Sequence, residues 1–240
     1  MTTFTQNEKG FTLVELAIVL VIVGLLIGGI LKGQELIANA QVTATMNQMT
    51  GMDAATSTFR DKYNAFPGDM GGAATRLPNC NTPCGGTGNG NGTIDVIAGV
   101  SPTGEALQYF LHLRADGLVT GFDGGTTTTA SFGETLPPAS IGGGYFIGYT
   151  SGTNLTAPVT GATPRRGHYL ATAAVANADI SATNGSLTPS QGARIDNKLD
   201  DGDPRSGSVV GSTGCGSSTA GEYNSASETA QCAVYYRIQG

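Results

Sequence analysis

Charge is scarce in this sequence, with Asp, Glu, Lys and Arg together supplying 12% of 240 residues. Basic residues are the scarcer kind, 12 against 18 acidic ones, for a formal net charge of −6. Nucleic acid is therefore not an expected partner, because binding through bulk charge rests on Lys and Arg neutralising phosphates. Arg165-Arg166 and the Arg194/Lys198 pair are local exceptions and read as solvated or ion-paired side chains. The vocabulary of catalysis is also missing: there is no GxSxG elbow, Walker A loop, HExxH or complete GxGxxG. The two histidines, His112 and His168, have no Asp or Ser at a recognisable spacing. They read as structural or solvent-facing, and the chain does not read as an enzyme.

Cysteine is sparse as well. The four fall into two sequence-local pairs, Cys80 with Cys84 and Cys215 with Cys232, and neither histidine lies near either pair to complete a zinc set. In an exported chain such cysteines form structural disulfides. Four cysteines allow three connectivities, of which 80–84 with 215–232 is the expected one.

What the sequence does have is one long apolar run. From Phe11 to Leu31 the only polar side chains are Thr12 and Glu15. About 20 such residues suit a bilayer core about 30 Å thick, so the segment reads as a transmembrane helix. A carboxylate inside such a helix is costly and marks function by default, so Glu15 calls for a partner. No small-residue cleavage site follows the run, which continues ILKGQELIANA; a short polar leader, MTTFTQNEKG, precedes it instead.

At these residues the sequence resembles the class III leader of type IV prepilins and related pseudopilins: a glycine, then phenylalanine, with glutamate at the fifth position after the cut. The resemblance implies that Gly10 ends the leader and that a prepilin peptidase of the inner membrane cuts after it. The same enzyme would methylate the new amino group of Phe11. It also implies a partner for Glu15, the Phe11 amino group of a neighbouring subunit, since an ammonium and a carboxylate in apolar surroundings attract strongly. By the same resemblance the chain is a homo-oligomeric filament subunit. It would enter the bacterial inner membrane as a precursor, be handled by inner-membrane assembly machinery, and end in an extracellular pilus or a periplasmic pseudopilus. The alternatives are a pseudopilin of a type II secretion system and a minor or adhesive pilin. Many pilins have a proline near the membrane exit of this helix; here the stretch reads GGILKGQ, and Gly24, Gly28 and Gly29 each weaken a helix by about 1 kcal/mol.

The expected organisation is a leader over 1–10, a membrane and filament-core helix over 11–31, an amphipathic helix over 32–63 and a globular head over 64–240. Leu36, Ile37, Ala40 and Ala44, and then Val42, Met46, Met49, Met52, Ala55 and Phe59, fall at spacings of three and four as one face of an amphipathic helix, and the Met stripe among them reads as core. Pro67, in YNAFPGD, should stop the helix. A second helix should open with Ser101 as its cap and close at Gly117, and another should span Pro189 to Leu199. Strands are expected in GYFIGYT, HYLATAAV, SGSVV and CAVYYRI. The fold class is α+β, a long N-terminal helix packed on a small antiparallel sheet, similar to the pilin architecture.

Two stretches bear on calcium. Asn89 to Asp95 has the Asx alternation of a calcium loop but no acid at its first position and Ala98 in place of the closing glutamate. Asp200, Asp201 and Asp203 crowd around Gly202. Some relatives in the resembling family hold calcium in a loop of this half, and calcium would relieve the repulsion. Pairing with Lys198 and Arg205, or plain solvation, is the other reading.

Overall fold

The computed structural model describes residues 10–80, 83–86, 88–125, 129–181, 183–217 and 221–238. Leader residues 1–9 lie outside the described residues. By contact density the chain divides into two units, Met1–Ala40 and Gln41–Gly240.

Helix α1 spans Leu13–Tyr63. It stops where expected: Asn64 takes a φ of 49°, donates its N–H to Arg60 O at 2.8 Å, and is followed by Phe66-Pro67. Asparagine tolerates this left-handed closure better than most residues. In the first unit the helix is unbroken through Gly24, Gly28 and Gly29, and every residue from 10 to 32 is exposed.

In the second unit α1 buries Val42, Thr45, Met46, Met49, Met52, Ala55, Thr56 and Phe59, a stripe at spacings of three and four. Helix α2 is the short Ala73–Arg76 turn, and α3 spans Gly104–Ala115. The start of α3 departs from expectation, because Thr103 rather than Ser101 occupies the cap position and makes no side-chain cap bond. Ser101 is drawn instead to the 176–179 loop, its N–H donating to Asp179 Oδ1 at 2.6 Å.

Four antiparallel strands follow: β1 Gly144–Thr150, β2 Gly167–Ala173, β3 Val209–Gly211 and β4 Val234–Ile238, in sheet order β1-β2-β4-β3. The α+β arrangement is thus a long N-terminal helix and a small antiparallel sheet. Buried tyrosines tie the layers together, each filling core volume with its ring and spending its hydroxyl on the helix. Tyr145 donates to Gln48 Oε1 at 2.9 Å, Tyr236 to Asp53 Oδ2 at 3.3 Å, and Tyr109 shares a 2.6 Å bond with Thr56 Oγ1. Between β2 and β3, helix α4 spans Pro189–Leu199 behind a capping box in which Thr188 and Gln191 bond reciprocally. Only glycine fits at position 192, where a Cβ would lie 2.7 Å from Cys232 Sγ.

Candidate functional site

The residues singled out at the N-terminus sit at the start of α1. Gly10 is exposed, with no described residue other than its chain neighbours within 4 Å of where a Cβ would stand, and Phe11 is 83% exposed. Thr12 precedes the helix and forms a reciprocal cap with Glu15. The Thr12 N–H and Oγ–H both donate to Glu15 Oε2 at 2.8 Å, and the Glu15 N–H donates to Thr12 Oγ1 at 3.2 Å. Within a single chain the carboxylate therefore already has hydrogen-bond donors. Thr-x-x-Glu ahead of an apolar run is a capping-box signature that sequence reading can find. Beyond it the exposed surface is apolar as far as Leu31, and Lys32 then pairs with Glu35 at 2.7 Å. Such a surface is stable only against lipid or other apolar helices.

In the second unit the structure holds disulfides Cys80–Cys84 and Cys215–Cys232. Neither histidine is solvent-facing in role. His112 is fully buried, its Nδ1 accepting the Gly68 N–H at 2.9 Å and its Nε2 facing Cys84 O at 3.1 Å. Burial holds its pKa down at about 4, against a smaller opposing effect of the Cys84 carbonyl. His168 Nε2 accepts the Ile94 N–H at 3.3 Å and its ring stacks on Phe66 at 3.8 Å. Burial, helped by the Arg60 charge, lowers its pKa to about 4.

The loop from Asn89 to Asp95 is arranged around anions rather than a cation. Its Gly90, Asn91 and Gly92 N–H groups all donate to the carboxylate of Asp69, which is 2% exposed. Its Asn89 and Asp95 N–H groups donate to Glu105, and the amides of Asn89 and Asn91 occupy the two oxygens of Asp95. The calcium rhythm there belongs to a loop whose donors point inward, a polarity opposite to that of a calcium cage.

The second acidic stretch regroups. Oxygens of Asp196, Asp200 and Asp201 lie within 4.8 Å of one another, and Asp203 is not among them. Asp203 instead takes Arg205 in a two-pronged pair, with Nε at 3.0 Å and Nη2 at 2.8 Å, which lowers its pKa. Asp196 is the member that sequence reading missed, although its place one helical turn before Asp200 was a signal. It is fully buried and accepts bonds from Tyr223 Oη at 2.8 Å and Gly202 N–H at 3.2 Å. Burial nevertheless pushes its pKa up to about 6, with repulsion from Asp201 and Asp200 adding to it. The three carboxylates are hard oxygen donors of the type calcium prefers, but they supply only three of the roughly six to eight ligands it takes. Each is also already engaged: Asp200 by the Ser208 and Val209 N–H groups, and Asp201 by the Asp203 N–H and Ser206 hydroxyl.

Residues 5–31 match the family described as the prokaryotic N-terminal methylation motif. No curated protein and no solved structure matches the chain. The matched segment contains Gly10, Phe11, the Thr12–Glu15 cap and the exposed apolar run. Over residues 5–31 the chain thus carries the prokaryotic N-terminal methylation motif, the type of leader found on type IV pilin and pseudopilin precursors.

Proposed function

We propose that this chain is a structural subunit of a type IV pilus or pilus-like filament. Prepilin peptidase cuts between Gly10 and Phe11 and methylates the Phe11 nitrogen. The apolar part of α1 then leaves the bilayer and packs against the same helix of other copies, driven by a separate inner-membrane assembly machinery. The observation that carries this reading is the matched segment, in which an apolar surface from Phe11 to Leu31 is wholly exposed and interrupted by one acid, Glu15.

Glu15 has a role before and after assembly on this reading. In the unassembled chain the Thr12 donors hold its carboxylate at the helix start. In the filament it meets the Phe11 ammonium of a neighbouring subunit, and the charge pair sets the axial register. The test is Glu15→Ala expressed in the native cell. We expect a chain that is inserted and cut normally but incorporated poorly, with partial rescue by co-expressed wild type, since each junction uses Glu15 of one chain and Phe11 of another. Filaments of normal yield from Glu15→Ala alone would falsify the pairing. A pseudopilin of a type II secretion system is the second reading. It is favoured over a pilus subunit if loss of the chain blocks protein secretion while surface filaments persist.

A further inference from the structure

Beside the last turn of α1 the second unit has an open cleft of about 780 Å3. Arg60, Asp61 and Asn64 line it from that turn, Arg76 from α2, Asp69 from the loop between α1 and α2, and His168 from β2. Two of these groups are already spent. Asp69 disperses its charge over the three N–H donors of the glycine-rich loop, and His168 accepts from Ile94. Arg60 and Arg76 are both exposed and form no ion pair among the described residues. Arg76 Nη2 donates to Tyr63 O at 2.7 Å, which anchors the guanidinium at the rim and leaves its remaining N–H groups to solvent.

Two unpaired guanidiniums on one cleft stand out in a chain of net charge −6. The guanidinium fork matches the planar oxygens of a carboxylate. Next to them, Asp61 accepts hydrogen bonds and Asn64 both donates and accepts, the complement of a row of hydroxyls. The volume falls within the range of roughly 300–1,000 Å3 typical of small-molecule sites. A peptide would seek a sheet edge, an apolar groove or an open aromatic platform. The cleft offers no such platform, because Phe66 is 6% exposed and enclosed between Tyr109 and His168.

We propose that this cleft binds a sugar acid, its carboxylate held by Arg60 and Arg76 and its hydroxyls by Asp61 and Asn64. The acid is either a free monosaccharide or a unit of an acidic polysaccharide. Binding does not depend on filament assembly, so the two readings fail separately.

The experiment is calorimetric titration of the full chain in a sugar-free polyoxyethylene detergent. The probes are galacturonate and trigalacturonate, with galactose and galactotriose as uncharged controls. We expect the acids to bind at least about tenfold more tightly than the controls, a difference of about 1.4 kcal/mol. Arg60→Gln and Arg76→Gln should each weaken binding by about tenfold or more; Arg60→Gln should leave the melting temperature unmoved, and Arg76→Gln should lower it only by the loss of its bond to Tyr63 O. Tighter binding of the trimer assigns the polysaccharide, and equal binding the free acid. The proposal is overturned by no heat at millimolar acid, by equal binding of the uncharged sugars, by indifference to both substitutions, or by tighter binding of a glutamate-rich peptide.

Discussion

His112 and His168 are depressed to about 4 by burial, whereas burial raises Asp196 to about 6, so the three groups respond to acid in opposite senses. A histidine whose folded value lies below its unfolded value contributes stability that is present above about pH 6.5 and is lost as pH falls through about 4. A raised carboxyl contributes stability that is present below its unfolded value of 3.8 and is lost as pH rises through about 6. Between pH 6.5 and 4 the histidines therefore withdraw stability while Asp196 adds it. Wild type should lose melting temperature on acidification, and Asp196→Asn should lose it more steeply, because the opposing contribution is gone. Equal slopes for the two would show that Asp196 titrates as an ordinary surface acid. Calcium bound by Asp196, Asp200 and Asp201 would keep Asp196 ionised. On that reading millimolar calcium raises the melting temperature of wild type at pH 7 but not that of Asp196→Asn, and no rise in wild type removes the ion.

Helix α4 shows how one element depends on covalent support next to it. Its position 192 admits glycine because the helix lies directly on Cys232, whose sulfur closes the 215–232 link. A link spanning 17 residues restricts the unfolded chain more than one spanning 4. Replacing both Cys215 and Cys232 by Ser should cost about 3 kcal/mol, and replacing both Cys80 and Cys84 about 2 kcal/mol, on the chain-entropy estimate. Thermal melts of the full chain in detergent check the order, and a larger loss from the 80–84 pair contradicts it. The β1–β2 hairpin and β4 are held differently, through tyrosine hydroxyls that reach α1 from β1 and β4. Loss of the 215–232 link should therefore be felt first in α4 and β3, readable as faster amide exchange there than in β1 or β2.

For the chain as a whole, processing on the proposed reading decides whether the apolar segment remains a membrane anchor or becomes a building element. Gly10 and Phe11 are exposed among the described residues, which leaves the bond between them open to the proposed peptidase. Gly10→Glu places a bulky charge where the motif has glycine. The expected outcome is an inserted but uncut precursor, measured as the full-length mass in the inner-membrane fraction and absence from sheared filaments. A mutant chain of mature mass beginning at Phe11 would remove the assignment of Gly10 as the recognition residue.

Local chemistry was legible before any fold was known. The apolar run, the glycine and glutamate at its start, the stop at Asn64 to Pro67, the Met stripe and the strand-forming runs all depend on neighbours a few residues apart, where backbone preference and side-chain period act directly. The Thr12–Glu15 cap obeys the same local rule, as Thr-x-x-Glu, but was not among the expectations, which gave Glu15 a partner only in a neighbouring subunit. What depended on distant segments was not. Ser101 was a fair cap by local preference, but Asp179, 78 residues away, claims its N–H. Asp203 looked equivalent to Asp200 and Asp201 until Arg205 took it and Asp196 replaced it. The glycine-rich loop kept its calcium-like rhythm while wrapping Asp69, about 20 residues earlier in sequence, with its own N–H groups. The physical reason is common to all three: a charged or polar group takes its role from whatever donors and acceptors burial brings to it, and burial is a property of the packed chain.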